Sequence, residues 1–372
     1  MSVYLLTGAT GVVGSAIVPV LMRKTDAEIL LLVRPGRAQS SEARLVELFD
    51  FWSRYYPGLD RRTLSARIRA VKGEITEQTL GLSATDQGYV RAHCTHIIHC
   101  AASVRMNLPL AEARETARQP VARVLALGET CARLEKVDFV STVGVGGRWD
   151  GPLPERWLDE PRDFHNTYEA AKAEAEDLIR EAVSRGFPAT VHRPSMVVGD
   201  SHSGAVIHFQ IFYFICDFLS GRRTLGFYPA LGAGTLDIVP NDYVAEAIVA
   251  SSLDAQSRGR ILHLCAGPEQ ALRLTDLRRT VRGMYRAAGR LSLLPSIDLS
   301  ARGFMRLMQL VKVFLPGRER RALQTLPLYL DYLAGVQAFG NTESLAQIEA
   351  WGITAPASSG VAERALAFYL QR

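Results

Sequence analysis

Apolar positions along this chain follow two different periods, and their alternation predicts the architecture. Short apolar runs rich in strand formers recur at Val3–Leu6, Glu28–Val33, Ile68–Val71, Thr95–Cys100, Val137–Val140 and Ala189–Arg193. Between them the apolar residues fall three or four apart, from Val12 to Met22, from Ser40 to Tyr56, through to about Leu134, and from Asn166 to about Ser184. Strand runs alternating with helical runs predict an α/β fold with a doubly wound parallel sheet. The segment of about 38–66 is longer than a minimal connection, with Leu45, Leu48, Phe49 and Trp52 on one helical face, and reads as a helical insertion. Residues 1–200 then form the sheet domain, and 201–372 a smaller, mainly helical lobe interleaved with it. In the lobe, Val206–Leu219 is apolar on more than one stripe, Ile261–Leu264 reads as a late strand, and Leu274–Ala287 as a helix opened by Thr275. Residues 301–315 are mostly apolar, relieved by Arg302, Arg306, Gln309 and Lys312. Such a run suits a core contact, the cap of a lipophilic pocket or a membrane surface.

The first strand stops at Gly8-Ala9-Thr10-Gly11-Val12-Val13-Gly14, directly before a helix. In that context Gly8 permits the sharp turn, Gly11 lets backbone N–H groups approach a pyrophosphate, and Gly14 lets helix pack on strand. A dinucleotide is expected here, contacted by Gly8, Thr10, Gly11, Val12, Val13 and Gly14. The second strand ends about 20 residues on at Arg34, where a carboxylate would take a ribose 2′-hydroxyl and an arginine a 2′-phosphate. Arg34, with Arg37 as a second contact, therefore points to NADPH. Glu74 and Ile75 after the third strand are candidate adenine contacts. The small residues Ala101, Ala102 and Ser103 after the fourth let a cofactor lie close. His99 ends that strand and is assigned a structural role.

The fifth strand ends in Ser141-Thr142, placing a hydroxyl at the crevice, and the next helix carries Tyr168 and Lys172 one turn apart. Lysine is scarce, five against 38 arginines, so its place four residues after a tyrosine is informative. A nearby ammonium favours the phenolate and so strengthens a weak acid, and the same lysine can hold the nicotinamide ribose.

The charge of +5 is spread along the chain and does not imply nucleic acid. Five scattered cysteines without ligand spacing fit a reducing cytoplasm, and no metal site is expected. The first strand starts too early for a signal peptide, and no run is long enough to span a membrane, so a cytoplasmic protein, soluble or peripheral to a membrane, is expected.

The set Gly8-x-x-Gly11-x-x-Gly14, Thr142, Tyr168-x-x-x-Lys172 and Arg193-Pro194 resembles the extended short-chain dehydrogenase/reductase superfamily, over about the first 250 residues. Finer features are similar to its thioester reductase branch: fatty acyl-CoA reductases and the reductive-release domains of carboxylic acid and peptide synthetases. These are Leu31-Leu32-Val33-Arg34-Pro35 with the insertion around Arg44-Leu45, His99-x-Ala101-Ala102-x-Val104, Val140-Ser141-Thr142-x-x-Val145, and Asp237-Ile238-Val239-Pro240-Asn241-Asp242-Tyr243-Val244-Ala245. Arg105, Glu74 and Ser195 depart from that branch, which often has asparagine, aspartate and glycine there. The resemblance implies a Rossmann fold and NADPH-dependent reduction of an acyl thioester, on CoA or an acyl-carrier protein, to an aldehyde or on to an alcohol. An apolar acyl group is the favoured substrate. Thr142, Tyr168 and Lys172 would be catalytic, and Arg193, Pro194 and Ser195 would join the cofactor contacts. The same residues would serve a dehydrogenase or epimerase acting on a ketone, sterol-like or sugar-nucleotide substrate. A non-catalytic NADPH sensor or scaffold usually lacks the tyrosine or the lysine, and both are present.

Overall fold

Apolar strands covered on both faces pair side by side and in parallel, because helices must return each strand to the same edge. The computed structural model describes residues 1–34, 40–106, 108–291, 294–311 and 338–372. Its main sheet contains β1 (Val3–Thr7), β2 (Glu28–Val33), β3 (Ile68–Lys72), β4 (His96–His99), β5 (Lys136–Val140), β6 (Ala189–Pro194) and a late strand, Ile261–Leu264. All neighbours are parallel. The order is the late strand, β6, β5, β4, β1, β2, β3, so the chain reverses direction across the sheet between β1 and β4. A crevice opens at the carboxyl ends of the strands where that reversal occurs.

Helix α1 (Val12–Lys24) packs one face of the sheet, and α2 (Ser41–Tyr55) and α3 (Arg61–Arg67) form the insertion beside it. The other face is covered by α4 (Ala84–His93), α5 (Leu110–Glu129) and α6 (Thr167–Ser184). Helix α5 stops at Glu129, short of the sequence expectation near Leu134. The lobe contains α7 (Ile211–Leu219), α8 (Asn241–Leu253), α9 (Leu274–Ala287) and α10 (Ala301–Val311). Interleaving is extensive: α8 packs against α1, and the strand after it forms an edge of the main sheet. Helix α9 starts at Leu274 directly after the short strand Leu272–Arg273, with no side-chain cap, so Thr275 does not open it.

The apolar run from Val206 resolves into core. Phe212, Tyr213, Ile215, Cys216, Phe218 and Leu219 are buried, while Phe214 is exposed. In α10, Phe304 and Met308 are buried with Phe304 edge-on to Phe218, and Arg302, Arg306 and Gln309 are exposed. The described part of the 301–315 run thus buries its apolar stripe in the lobe, and residues 312–315 lie outside the described residues. No helix among the described residues is long and apolar enough to cross a membrane.

The insertion is fastened to α1 at both ends. Pro19 lies inside α1 and has no N–H to give the Ser15 carbonyl. The fully buried Trp52 of α2 supplies the missing donor, its indole Nε1 reaching Ser15 O at 2.7 Å. At the other end Arg67 donates to the carbonyls of Met22, Thr25 and Ala27 at 3.0, 2.6 and 3.1 Å, capping the end of α1 where a cation also meets the negative end of the helix dipole. Trp52→Ala removes the packing and the bond and is expected to lower unfolding free energy by about 3–5 kcal/mol. Trp52→Phe keeps most of the bulk but strands the carbonyl, for a loss of about 1–3 kcal/mol. Equilibrium denaturant unfolding measures both; equal stability in all three proteins would show that the insertion does not brace α1.

Candidate active site

The turn after β1 is built for close approach. Gly8 has φ +79°, and a Cβ there would lie 2.7 Å from the Ala101 nitrogen at the end of β4. A Cβ on Gly14 would lie 2.2 Å from the Gly8 carbonyl oxygen, so only glycine lets α1 seat on the turn. Gly11 caps α1 and would meet little but that same carbonyl, which leaves its outer side open to a ligand. The positive end of α1 therefore faces a cleft of about 500 Å³.

Of the sequence-predicted cofactor residues, Gly8, Thr10, Gly11, Arg34, Glu74, Ile75, Ala101, Ala102 and Ser103 line this cleft. Val12, Val13 and Gly14 form the first turn of α1 behind its floor. Arg37 lies outside the described residues. Arg34 is largely exposed and lies 3.6 Å from Glu74, so the two groups expected to bind opposite ends of an adenosine are themselves paired. The chemistry of this wall fits a dinucleotide: a glycine turn at a helix N-terminus, small residues opposite it, and cations at the outer end.

One lining residue escapes a reading of the sequence. Arg44 of α2 donates to the Arg34 carbonyl at 3.0 Å and approaches Thr10 Oγ1 at 3.4 Å, setting a second guanidinium over the cleft. A signal for it exists, since positions 44, 48 and 52 share a stripe and the last two are expected to be buried. An arginine heading such a stripe faces the protein.

At the next strand end, Thr142 caps a short helical turn, Val143–Gly146, by accepting the Gly144 N–H at 3.1 Å. That bond occupies an oxygen lone pair and leaves the hydroxyl proton to be donated elsewhere. Asn166 caps α6 by accepting the Glu169 N–H, and Thr167 Oγ1 donates to Leu108 O at 2.7 Å, fastening the start of α6 to the loop after β4. Tyr168 and Lys172 follow one turn apart on that anchored helix.

Their electrostatics differ from the sequence expectation. Burial pushes the Tyr168 phenol above its ordinary range, although part of its surface stays open, and the Glu169 carboxylate pushes it the same way. The Lys172 ammonium donates to the Val140 carbonyl at 2.7 Å and is not among the groups that shift the phenol. Burial lowers Lys172 to about 8, with Glu176 and then Cys100 acting in the opposite direction. The spacing sets the pair one turn apart on α6, but burial moves the phenol up, opposite to the acidification inferred from the spacing. Lys172 is the group brought near neutrality.

Arg193 also departs from expectation. It is fully buried, and its guanidinium is spent on Glu176 (Nε 3.0 Å, Nη2 2.6 Å), the Arg156 carbonyl and His263 Nε2. No part of that side chain is left for a cofactor. Pro194 ends β6 and is buried, and Ser195 follows with its N–H on the Leu264 carbonyl, so both hold the sheet edge together. His99 is buried with Nδ1 on Thr7 Oγ1 at 2.8 Å, and burial, with Lys172 adding to it, depresses it to about 3, as suits a structural histidine.

A family model described as male sterility protein matches residues 6–248. Isonitrile lipopeptide synthase of Streptomyces coeruleorubidus is 29% identical over 251 residues, 67% of this chain but 16% of that protein. L-2-aminoadipate reductase of Schizosaccharomyces pombe is 26% identical over 279 residues, 71% of this chain and 19% of that protein. The chain therefore spans only a small part of the curated relatives it matches. Among solved structures, the terminal R domain from the myxalamid PKS-NRPS biosynthetic pathway is 27% identical with a TM-score of 0.82, covering 100% of this chain and 91% of that one. A thiolation-reductase di-domain from an archaeal non-ribosomal peptide synthetase, 18% identical, shares the fold with a TM-score of 0.75 over 100% of this chain and 75% of that one. The glycine turn, the cleft it opens and the residues matched together place the chain in the male sterility family, whose members are NAD(P)-dependent oxidoreductases of the extended short-chain dehydrogenase/reductase type.

Proposed function

We propose that this protein uses NADPH to reduce an acyl thioester carried on a carrier-protein arm, releasing an aldehyde and the free thiol. The observation that carries this reading is the joining of two features at one sheet edge. A dinucleotide cleft with two guanidinium groups at its outer end lies at the ends of β1 and β4, and on the neighbouring strand β5 the turn capped by Thr142 packs against α6, whose start carries Tyr168 and Lys172. The carrier-bound form of the substrate is supported by the names of the relatives, among them a lipopeptide synthase and a thiolation-reductase pair. These favour a carrier protein over CoA and give no support to a fatty acyl group in particular.

NADPH, when bound, supplies the hydride. Thr142 and Tyr168 donate hydrogen bonds to the oxygen of the thioester carbonyl as negative charge grows on it. Tyr168 then gives that oxygen its proton, and collapse of the resulting hemithioacetal breaks the carbon–sulfur bond, yielding aldehyde and thiol. Lys172, anchored by the Val140 carbonyl, holds the nicotinamide ribose and is charged at neutral pH. Because the phenol is pushed up, Tyr168 is protonated at the start of each turnover and acts as a donor, which is the state the reduction requires.

Two results test the reading. Tyr168→Phe should lower thiol release from an acyl carrier protein by about 100-fold or more while NADPH affinity changes little. Turnover near the unaltered level would remove the mechanism, and reduction of ketones without thiol release would favour the dehydrogenase alternative. Arg34→Ala and Arg44→Ala should each weaken NADPH binding by about tenfold and leave NADH binding nearly unchanged, the difference being one charge-assisted contact to the 2′-phosphate. Equal losses for both nucleotides would show that these arginines do not read the phosphate.

A further inference from the structure

The mechanism leaves one buried acid unused. Glu176 lies one turn beyond Lys172 on α6 and is 5% exposed. Arg193 clamps it through Nε and Nη2, and Ser141, the residue before Thr142, donates its hydroxyl to the same carboxylate. Arg193 in turn donates to His263 Nε2 at 3.2 Å, and His263 Nδ1 gives its proton to the Gly340 carbonyl at 2.6 Å. The backbone N–H of His263 is held by Ser344 Oγ at 2.7 Å, and the backbone of Glu343 and Ser344 by Glu155. One chain of bonds thus runs from the catalytic helix through β6 and the late strand to residues 340–344. Burial, and Arg193 after it, depress His263 to about 4, so it stays neutral and accepts from Arg193 at working pH.

We propose that Glu176 is a positioning residue for Lys172: a clamped, buried carboxylate one turn along α6 that keeps the ammonium charged, with Arg193 limiting how strongly it does so. The proposal rests on the assignment of Lys172 to the cofactor ribose made above. Groups facing Lys172 from each neighbouring element support it. From β5 comes the Val140 carbonyl, from the end of β4 come His99 and Cys100, and from α6 itself Tyr168 and Glu176. Burial holds His99 neutral and pushes the Cys100 thiol and the Tyr168 phenol up, so these three carry no charge near neutrality. Among these groups Glu176 is the carboxylate, one turn along α6 from Lys172, and it acts to keep the ammonium charged. Desolvation alone would drive a buried lysine toward the neutral form, and a carboxylate one turn away opposes that. An arginine bound bidentate to the carboxylate cancels part of its field, so the two substitutions have opposite signs.

The test is the pH dependence of NADPH affinity, read by cofactor fluorescence from pH 6 to 10 with no thioester present. In the unaltered protein affinity holds below about pH 8 and falls above it as the Lys172 ammonium is lost. Lys172→Arg, whose charge does not titrate, should remove that limb and so assigns it. Glu176→Gln should move the limb down by a pH unit or more, and Arg193→Met should move it up, each checked for folding by circular dichroism. A support role alone would lower affinity at every pH without moving the limb in either direction. An unmoved limb in folded Glu176→Gln overturns the proposal; should that variant not fold, an unmoved or lowered limb in Arg193→Met does so. The proposed reaction fails separately, as NADPH binding with these limbs but no thiol release from any acyl carrier protein.

Discussion

The active-site crevice exists because two glycines let three backbone segments occupy space that side chains would fill. Any Cβ at Gly14 would stand 2.2 Å from the Gly8 carbonyl, and any Cβ at Gly8 would stand 2.7 Å from the backbone of Ala101. Helix α1 therefore sits directly on the turn after β1, and the turn sits directly on the end of β4. Everything downstream inherits that closeness. The helix N-terminus faces the cleft at short range, the small residues Ala101, Ala102 and Ser103 line it just after β4, and β5 delivers Thr142 one strand further along the same edge.

The second organising feature is charge held in a dry interior. Two buried lysines sit at opposite ends of β5. Lys136 is bonded to Ser257 and to the Ser251 and Asp254 carbonyls, with Asp138 3.9 Å away and itself bonded to His192 and Ser251. Its donors are met by protein on several sides, so it acts as a brace between β5 and α8. Lys172 is bonded to a single acceptor among the described residues, the Val140 carbonyl at the end of β5, and has donors to spare. Both are lowered by burial. What separates the two lysines is thus the number of partners already supplied, a distinction that burial and pKa direction alone do not make.

Those contrasts also explain what can be read in the sequence. The strands, Gly8, Gly11 and Gly14, and the Tyr168 and Lys172 spacing are legible because each follows from local period or from a turn that only glycine makes. Arg193 is misjudged as a cofactor contact because a motif fixes a residue near the cleft without fixing the side of β6 from which it projects. The acidity of Tyr168 is misjudged because four-residue spacing sets two side chains on one face but does not say which carbonyl captures the ammonium. The run from 301 is ambiguous for a related reason. An apolar stripe flanked by arginines has the same pattern whether it meets lipid or, as with Phe304 and Met308, the core of its own lobe. Glu176 carries no signal of its own, being one of several acidic residues along a helix, and only the burial of Arg193 opposite gives it meaning.

A proline in α1 shows how far a single backbone deficit can reach. Pro19 has no N–H, which leaves the Ser15 carbonyl one turn earlier without its helical partner inside a packed interface. An unmet carbonyl at that depth is costly, and the indole of Trp52 answers it from outside the helix. Trp52 is thereby fixed in register with the first turn of α1, and α2 is fixed with it. Two turns back along the same stripe of α2 stands Arg44, which the register delivers to Thr10 in the glycine turn and to the backbone of Arg34. The insertion that sets this chain apart from a minimal strand–helix–strand unit is therefore part of the cofactor cleft. Its guanidinium is placed by a hydrogen bond made eight residues away, on the far side of the need that Pro19 creates.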